Sequence, residues 1–400
     1  MLAVFMVGGI AHPIAAQPKY TVHDLGALSG SNSFPPGPVA GIYAVAGINN
    51  SGQVIGSFMT ASLQSRAFRT PPNRPINTAI DDLGTLGGSY SQAAAINNSG
   101  QVVGTSVGAA FGFHAFRTAP NSKINPFTDD LGGGFGDPFC LALGINDSAQ
   151  VVGFCTLGMA HQDQGFRTAP NSVINSTTDD IGTLEGRFGP FTIATGINSS
   201  GQVAGSSTTA SGELHAFRLA ANSPINPATD DLGTLGGGFS RAFGINSAGQ
   251  VVGDSLTASG QFHAFLYSGG VMYDLNNLIP SNSGWTLMGI AGINDLGQIA
   301  GGGVLNGALH AFRLDPATPA SLTSLLLNTM SSFNLPRGTS TDLSSVLLAC
   351  LNALERGNDF AARNQIGAFE NMVHALSGNT LTTAQADLLL NIAAGAIQLL

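Results

Sequence analysis

Residues 48–56 read Ile-Asn-Asn-Ser-Gly-Gln-Val-Ile-Gly, and this stretch decides how the whole chain is interpreted. It recurs five more times, at spacings of 48, 49, 52, 48 and 48 residues. The further copies begin at Ile96, Ile145, Ile197, Ile245 and Ile293. Asn, Ser and Gly favour a tight turn, and the flanking Ile and Val favour a buried sheet, so each copy predicts strand, turn, strand. Copies at a nearly constant period indicate a repeat protein.

Two further blocks accompany each copy. The first reads His-Ala-Phe-Arg or a variant, and its histidines and phenylalanines include His114, His215, His263, His310, Phe116, Phe217, Phe265 and Phe312. The second reads Asp-Leu-Gly or a close variant, and it begins at Asp24, Asp82, Asp130, Asp180, Asp231 and Asp274. Polar and apolar residues alternate in the His-Ala-Phe-Arg block, which predicts a third strand, and Asp-Leu-Gly predicts a fourth.

Four short antiparallel strands in each repeat form one blade of a β-propeller. The sequence therefore predicts a mainly β fold, with a six-bladed β-propeller of about 48-residue repeats over residues 18–315 and a small C-terminal α-helical bundle. The repeats start with a lone fourth strand, Tyr20 to Gly26, and finish with a third strand, His310 to Leu314. The first strand can complete the sixth blade and remove an open sheet edge. A β-solenoid of the same period is the alternative, but it would not need this staggered start and finish.

These linked blocks resemble the HAF-family extracellular repeat of bacterial secreted proteins, over roughly residues 20 to 314. The resemblance implies a repeat architecture and an extracellular or cell-surface location, and it implies no particular activity. Departures from the pattern are Arg66 and Gln164 in place of His, Ala149 in place of the turn Gly, and Leu266 in place of Arg. These positions therefore tolerate change without loss of the repeat.

The period stops after Asp315-Pro-Ala-Thr-Pro319, and residues 320–400 predict four helices. We expect helices at about 320–333 and 341–356, a third after Asn358 as N-cap, and a fourth after a capping box of Thr382 and Gln385. The segments 351–357 and 381–386 resemble the FIMAH domain, a helical module at the C-terminus of various secreted bacterial proteins. An unrelated helical bundle, packed on itself or on the propeller, is the alternative.

The composition argues against several classes of partner. Charged residues make up only 9% of the chain, the net charge is -9, and the lysines are only Lys19 and Lys123. Phosphate binding needs grouped Lys and Arg, so we expect neither nucleic acid nor an anionic membrane as a partner. The longest late apolar run, Leu388 to Leu400, is too short and too polar to cross a bilayer. We expect a soluble monomer.

The apolar run from Leu2 to Ala11, followed by Ile14-Ala15-Ala16-Gln17, predicts a signal peptide over residues 1–16. The basic residue that usually starts such a segment is missing. This leaves two alternatives open: a start that lies further upstream, or a buried first strand.

The histidines at one repeat position suggest a ring of metal ligands. Arg66 at the same position argues against this interpretation, because a guanidinium donates hydrogen bonds and does not ligate metals. We expect instead a structural donor to an Asp of the neighbouring Asp-Leu-Gly strand. The repeated acids and the turn acids Asp147 and Asp295 do not match the spacing of a calcium loop. The sequence thus predicts no metal and no cofactor.

Catalysis would require reactive groups where the repeats differ. The acids outside the pattern are Asp137, Asp163, Glu185, Glu213 and Asp254. They share no motif, and the common hydrolase and nucleotide-binding motifs are absent from the sequence, so we expect no catalytic residues. The favoured function is a binding or scaffold module for a glycan, a peptide or a surface protein. A polysaccharide-active hydrolase or lyase is the alternative.

Two of the three cysteines, Cys140 and Cys155, flank the same turn. With a two-residue loop Ile145 would pair with Gln150, and Cys140 would oppose Cys155, which predicts a disulfide. A slip of one residue would place the two cysteines on opposite faces. Cys350 lies within a predicted helix and is expected to be a buried apolar residue.

Overall fold

The computed structural model describes residues 19–27, 41–109, 112–132, 139–157, 162–185, 191–281 and 283–400. The predicted signal peptide at 1–16 and the acid Asp137 lie outside these residues. The described chain is mainly β as far as residue 316 and helical from residue 319 onward.

The strands follow the sequence repeat in six groups, and β1 (Tyr20–Ala27) precedes them in the chain. The first three groups are β2 (Gly41–Ile48), β3 (Val54–Met59), β4 (Ser65–Arg69) and β5 (Asp82–Gly84); β6 (Gly87–Ile96), β7 (Val102–Gly108) and β8 (Phe113–Arg117); and β9 (Cys140–Ile145), β10 (Val151–Leu157) and β11 (Gln162–Arg167). The other three are β12 (Thr192–Ile197), β13 (Val203–Thr208) and β14 (Leu214–Arg218); β15 (Gly236–Ile245), β16 (Val251–Thr257), β17 (Phe262–Ser268) and β18 (Val271–Asp274); and β19 (Trp285–Ile293), β20 (Ile299–Leu305) and β21 (Ala308–Pro316).

The groups form several small sheets. β2 to β5, β6 to β8, and β9 to β11 are separate sheets, whereas β12 to β18 form one seven-stranded sheet. Two groups merge there because Leu214 on β14 pairs in parallel with Phe239 on β15. The last sheet has the order β1-β21-β20-β19, so β1 is hydrogen-bonded beside β21. This is the neighbour that the staggered start and finish of the repeats predict for β1.

Each repeat turn closes by the same hydrogen bonds. In the second repeat, the Asn97 N–H donates to the Gln101 carbonyl at 3.1 Å and the Gly100 N–H donates to the Asn97 carbonyl at 3.0 Å. Gly100 has φ +75°, a left-handed conformation that glycine adopts without strain. Ala149 occupies the corresponding position in the third repeat and has φ +58°. The departure from Gly therefore leaves the backbone conformation of the turn unchanged.

The predicted register of the cysteine hairpin was wrong, although it brought the correct residues together. Ile145 pairs with Val151 and not with Gln150, because the turn is longer than two residues. A β-bulge at Val152/Gly153 then shifts the register, and Cys155 lies opposite Cys140. A bulge adds one residue to one strand, which compensates for the one-residue error in the turn.

The Asp-Leu-Gly block is a weaker strand than predicted. It forms the three-residue strand β5 in the first repeat, but only isolated bridges at Asp130, Asp180 and Asp231 in the next three. The carboxylate of Asp130 accepts a hydrogen bond from the N–H of Gly132, and Gly132 has φ +83°. This local turn ends the extended conformation, because the Asp130 side chain accepts the hydrogen bond that the Gly132 N–H would otherwise donate to a neighbouring strand.

The repeat phenylalanines form the interior of each group. Phe68, Phe116, Phe166, Phe217, Phe265 and Phe312 are all completely buried. Phe265 lies opposite Gly253 on the neighbouring strand β16. A methyl group at Gly253 would overlap the carbonyl oxygen of Arg241 and lie 2.7 Å from the Phe265 ring. The glycine that ends the Val-Val-Gly motif is thus required by the close approach of backbone and ring.

Within the described residues, the α-helices are the short α1 (Thr78–Asp81), between β4 and β5, and four C-terminal helices, α2 (Pro319–Ser331), α3 (Arg337–Glu355), α4 (Asp359–Leu376) and α5 (Thr383–Gln398). Asn358 caps α4, and the capping box of Thr382 and Gln385 begins α5, as the sequence predicts. The four C-terminal helices share a core that includes Leu326, Leu347, Phe369 and Leu389. None of the described helices has a stretch long and apolar enough to cross a membrane.

The chain divides into two compact units. Of the described residues, one unit contains 19–26, 274–281, 283–287 and 303–400, and the other contains those from 27 to 273 together with 288–302. The helical segment shares a unit with β1, β21 and the start of β19.

Candidate binding recess formed by the repeat turns

The repeat turns are connected to one another by asparagine side chains. Asn97 Nδ2 donates to Gln101 Oε1 within its own turn at 2.9 Å and to the carbonyl of Asn146 in the next turn at 3.2 Å. The same pair of hydrogen bonds recurs at Asn49, Asn146, Asn198 and Asn246, whose acceptors in the following turn are the carbonyls of Asn97, Asn198, Asn246 and Asn294. Five successive links thus join six turns, and we call this series the asparagine ladder.

Both polar atoms of a ladder asparagine side chain, the oxygen and the nitrogen, are hydrogen-bonded. Asn146 Oδ1 accepts from the N–H groups of Ser148 and Gln150, while its Nδ2 donates to Gln150 Oε1 and to the next turn. Asn146 is only 5% exposed, so each of these polar atoms needs a protein partner. The Gln that follows the Gly, or Ala149 in the third copy, is explained by this contact, because its side chain is the acceptor for the asparagine amide.

The residue after each ladder asparagine points to the neighbouring turn or to solvent. Asp147 accepts from the backbone N–H of Asn98 at 2.8 Å and from its side-chain amide at 2.7 Å. Asp295 accepts from the N–H of Ser247 at 2.8 Å. The predicted interpretation of Asp147 and Asp295 as turn residues was therefore incomplete, since their carboxylates bind the turn of the preceding repeat.

Residues of the turns line a cavity of about 200 Å³ that is open to solvent, which we call the turn recess. Its wall carries the isoleucines that begin the repeat motif, among them Ile48, which is 67% exposed. Its rim carries the exposed side chains that follow the ladder, namely Asn50, Asn98, Asp147, Ser199, Ser247 and Asp295. The turn recess therefore combines apolar C–H surface with amide, hydroxyl and carboxylate groups.

The arginines of the His-Ala-Phe-Arg block support the turns from outside. Arg117 Nη1 donates to the carbonyl of Ala149 at 3.2 Å in the next turn and to the carbonyl of Ser172 at 3.1 Å. Burial lowers the pKa of Arg117, and the charge of Asp129 partly opposes this shift. Arg69 and Arg218 make the corresponding bonds to the carbonyls of Gly100 and Gly249. These arginines link successive repeats and do not face the turn recess.

Three of the four repeat histidines bind an aspartate side chain. His114 and His215 each donate from Nδ1 at 2.9 Å to the aspartate of their own repeat, Asp130 and Asp231. His310 does the same at 2.8 Å with Asp24 of β1. His263 occupies the same register position on β17, opposite Ser255. Among the described residues, no group of three or more His, Cys, Asp or Glu side chains converges as metal ligands would.

The acids outside the repeat pattern have separate local partners. Asp163 accepts from Thr156 Oγ1 at 2.7 Å, and Glu213 accepts from Ser211 Oγ at 3.0 Å. Asp254 forms a bidentate pair with Arg241, whose guanidinium also lies over the rings of Phe239 and Phe243. Glu185 lies between β11 and β12, and Asp137 lies outside the described residues. Asp163, Glu213 and Asp254 thus each have a local hydrogen-bond partner.

The cysteines of the third repeat are joined. Cys140 and Cys155 form a disulfide between β9 and β10, with their Cα atoms 4.1 Å apart. Both residues are completely buried. Cys350 is a buried free thiol in α3, and burial raises its pKa. A protonated, buried thiol is not a nucleophile.

No protein-family model matches the chain, and no curated protein matches it either. Similar solved structures are those of the lectin from Aleuria aurantia. A mutant of it in complex with alpha-methyl-L-fucoside is 14% identical with a TM-score of 0.36, and the same mutant with Fucalpha1-6GlcNAc is 14% identical with a TM-score of 0.37. A mercury derivative of this fucose-specific lectin is 11% identical with a TM-score of 0.35. Each alignment covers 69% of this chain and 93% of the lectin.

Proposed function

We propose that the repeats form a closed six-bladed β-propeller of the HAF type, which acts as a carbohydrate-binding module outside the bacterial cell and carries a FIMAH-like helical domain. Three features support the propeller. Strand groups follow the sequence period, the asparagine ladder connects turn to turn, and β1 lies beside β21. The pair of His310 and Asp24 has the same chemistry as the pairs inside single repeats. This is the pattern expected if β1 completes the last blade.

The turn recess is the observation that carries the binding function. Its rim side chains vary from repeat to repeat, whereas the ladder residues beneath them are the same in every copy. A fixed frame with variable exposed side chains is the usual arrangement of a binding surface. The rim offers donors and acceptors next to isoleucine C–H surface, which suits a sugar ring, because sugars present hydroxyl groups at their edges and C–H groups on their faces.

A binding role agrees better with the site than an enzymatic role does. Hydrolysis of a glycosidic bond needs two carboxyl groups on either side of the bond, one of them protonated. The rim acids Asp147 and Asp295 are each engaged by a backbone N–H of the neighbouring turn. Both carboxylates therefore already have a structural role between neighbouring turns, and neither is a free acid placed to flank a glycosidic bond.

The turn recess can be blocked without removing a structural contact. We expect the full chain to bind a subset of glycans on an array, and Ser199→Trp to weaken that binding at least tenfold by filling the recess. Ser176→Trp is the matched control, because Ser176 is an exposed serine outside the recess. Binding of a peptide or a surface protein, with no binding to any glycan, would contradict carbohydrate as the ligand. Equal glycan binding by Ser199→Trp and the native protein would rule out the recess as the site.

Location is tested separately from binding. We expect the protein in the culture medium or at the surface of intact bacteria, where added protease removes it. Retention inside protease-treated cells would contradict the proposed location while leaving the binding proposal intact.

A further inference from the structure

A second cavity, of about 370 Å³, lies between the first and second repeats, away from the turn recess. Its lining includes Pro71, Pro72 and Ile80 from the loop after β4, and Asn121 and Lys123 from the loop after β8. Arg69, Asp81 and Asp82 also line the cavity. We call this cavity the junction pocket. None of its lining residues lines the turn recess.

The junction pocket has the same frame as the next two junctions. In each, an N–H of the following loop donates to the carbonyl of the Asp-Leu-Gly block, from Ile124 to Leu83, from Ile174 to Leu131 and from Ile225 to Ile181. The arginine of each preceding repeat also donates to a serine carbonyl in the following loop, at Ser122, Ser172 and Ser223. Differences in side chains between these junctions are therefore not required by the fold.

Two side chains set the first junction apart. The position of Lys123 is occupied by Val173 and Pro224 at the next two junctions. The position of Ile80 is occupied by Thr128, Thr178 and Thr229, each of which donates to the following aspartate. At the first junction, Ile80 makes no such bond, and Asp81 pairs instead with Arg74 at 2.7 Å.

This exchange leaves two basic side chains, Arg69 and Lys123, in the junction pocket without an ion-pair partner in the part of the chain that the structure describes. Burial lowers the pKa of Arg117 and of Arg167, and the charges of Asp129 and Asp179 partly oppose these shifts. At the first junction Asp81 is paired with Arg74, and burial alone lowers the pKa of Arg69. Among the described residues, neither Arg69 nor Lys123 forms an ion pair. Lys123 is one of only two lysines in the chain. An ammonium and a half-buried guanidinium therefore line one pocket together with two carboxylates that are engaged elsewhere, Asp81 by Arg74 and Asp82 by the N–H of Gly84.

We propose that the junction pocket binds a carboxylated sugar, a hexuronate unit of an acidic polysaccharide. Its carboxylate binds Lys123 and the free edge of the Arg69 guanidinium, since charge-assisted bonds to a carboxylate are the strongest that these groups make. Its C–H face packs on Pro71, Pro72 and Ile80, and Asp82 accepts from its hydroxyl groups. The net charge of -9 would repel an acidic polymer elsewhere, so the pocket also defines where such a chain can lie.

The test uses trigalacturonate and its methyl ester, which keeps the sugar rings and removes the charge. By isothermal titration of the full chain, we expect the acid to bind and the ester to bind at least tenfold more weakly. Lys123→Val copies the residue of the next junction and should weaken binding of the acid about tenfold to a hundredfold. Lys19→Gln, a change at the other lysine, is the matched control and should leave binding unchanged.

The outcomes separate this site from the turn recess. Ser199→Trp should bind trigalacturonate as the native protein does, so loss of the recess function does not remove the junction function. The proposal is overturned if the native chain does not bind the acid, if the ester binds equally well, or if Lys123→Val binds like the native protein. Competition by inorganic phosphate at equal concentration would also overturn it, because it would show a general anion site.

Discussion

His310 Nδ1 lies 2.8 Å from Oδ1 of Asp24, although 286 residues separate them in the chain. The two residues belong to β21 and β1, which are neighbours in one sheet. A second pair links the same strands in the opposite sense, from His23 on β1 to Asp315 on β21 at 3.0 Å. Each strand thus contributes one histidine and one aspartate, and we call this arrangement the reciprocal clasp.

The reciprocal clasp should protect β1 from local opening. Asp24→Ala removes the acceptor for His310 and for the N–H of Gly26, so the backbone amides of β1 should exchange with deuterium faster. Amides of β3 and β4 serve as the internal reference and should be unaffected. Unchanged exchange in β1 would mean that backbone pairing alone holds the strand.

Stability should depend on the protonation of His215. The hydrogen bond with Asp231 raises the pKa of His215, while burial opposes the shift. A raised pKa means that the contribution to folding is complete below about pH 6.5 and is lost as the pH rises through the pKa of the folded state. Urea midpoints should therefore fall less from pH 6 to pH 9 in His215→Gln, which copies Gln164 of the third repeat. Parallel pH profiles for the two proteins would contradict this account.

The glycine opposite each buried phenylalanine should be intolerant of a side chain. Gly253→Ala places a methyl group against the Arg241 carbonyl and the Phe265 ring, and it should lower the free energy of unfolding by about 1–3 kcal/mol. Gly289→Ala on β19 is the matched control, because a methyl group there meets nothing within 4 Å. Denaturant unfolding of both variants measures the difference. Equal stability would show that the strands separate easily at this point.

The asparagine ladder should contribute strongly to stability. Asn146→Ala removes two donated and two accepted hydrogen bonds at a buried site, and it leaves Gln150 and two backbone N–H groups without their partner. We expect a loss of about 2 kcal/mol or more in the free energy of unfolding. Asn352→Ala on the exposed surface of α3 should change it by less than about 0.5 kcal/mol.

The disulfide should be detectable by mass spectrometry after alkylation, and it should raise the free energy of unfolding. Alkylation of the unfolded, unreduced protein should modify only Cys350, and reduction should expose two more thiols. The disulfide closes a loop with a sequence separation of 15 residues. Replacing both Cys140 and Cys155 by Ala opens this loop and should lower the free energy of unfolding by about 3 kcal/mol. Three alkylated cysteines before reduction would contradict the assignment.

The sequence predicted those features that depend on local patterns. The strands, the turns and the caps of α4 and α5 follow from β-branched residues, from Asn and Gly, and from capping residues. The neighbour of β1 was predictable because the blocks are incomplete at both ends. The cysteine pair was predictable by residue but not by register, because nothing in the sequence marks the bulge at Val152/Gly153.

The contacts between repeats were not predicted. Asn146 was interpreted as a turn residue, yet its amide also binds the next repeat, and the signal for this role was the Gln that follows in every copy. Asp-Leu-Gly was predicted as a full strand. Asp130 instead forms a single isolated bridge with Phe116, and its carboxylate accepts from the N–H of Gly132. Such contacts depend on how the repeats are placed in space, and a linear pattern does not contain that placement.

The acceptor of every ladder bond is a main-chain oxygen of the following turn, and main-chain oxygens are the same whatever the side chain. The ladder bond itself therefore needs no matched side chain in the following unit, so duplication or exchange of whole units leaves this linkage intact. Natural drift and directed libraries alike can alter a residue after an asparagine that does not bind the preceding turn, such as Ser199, and new specificities can arise there without a compensating second change.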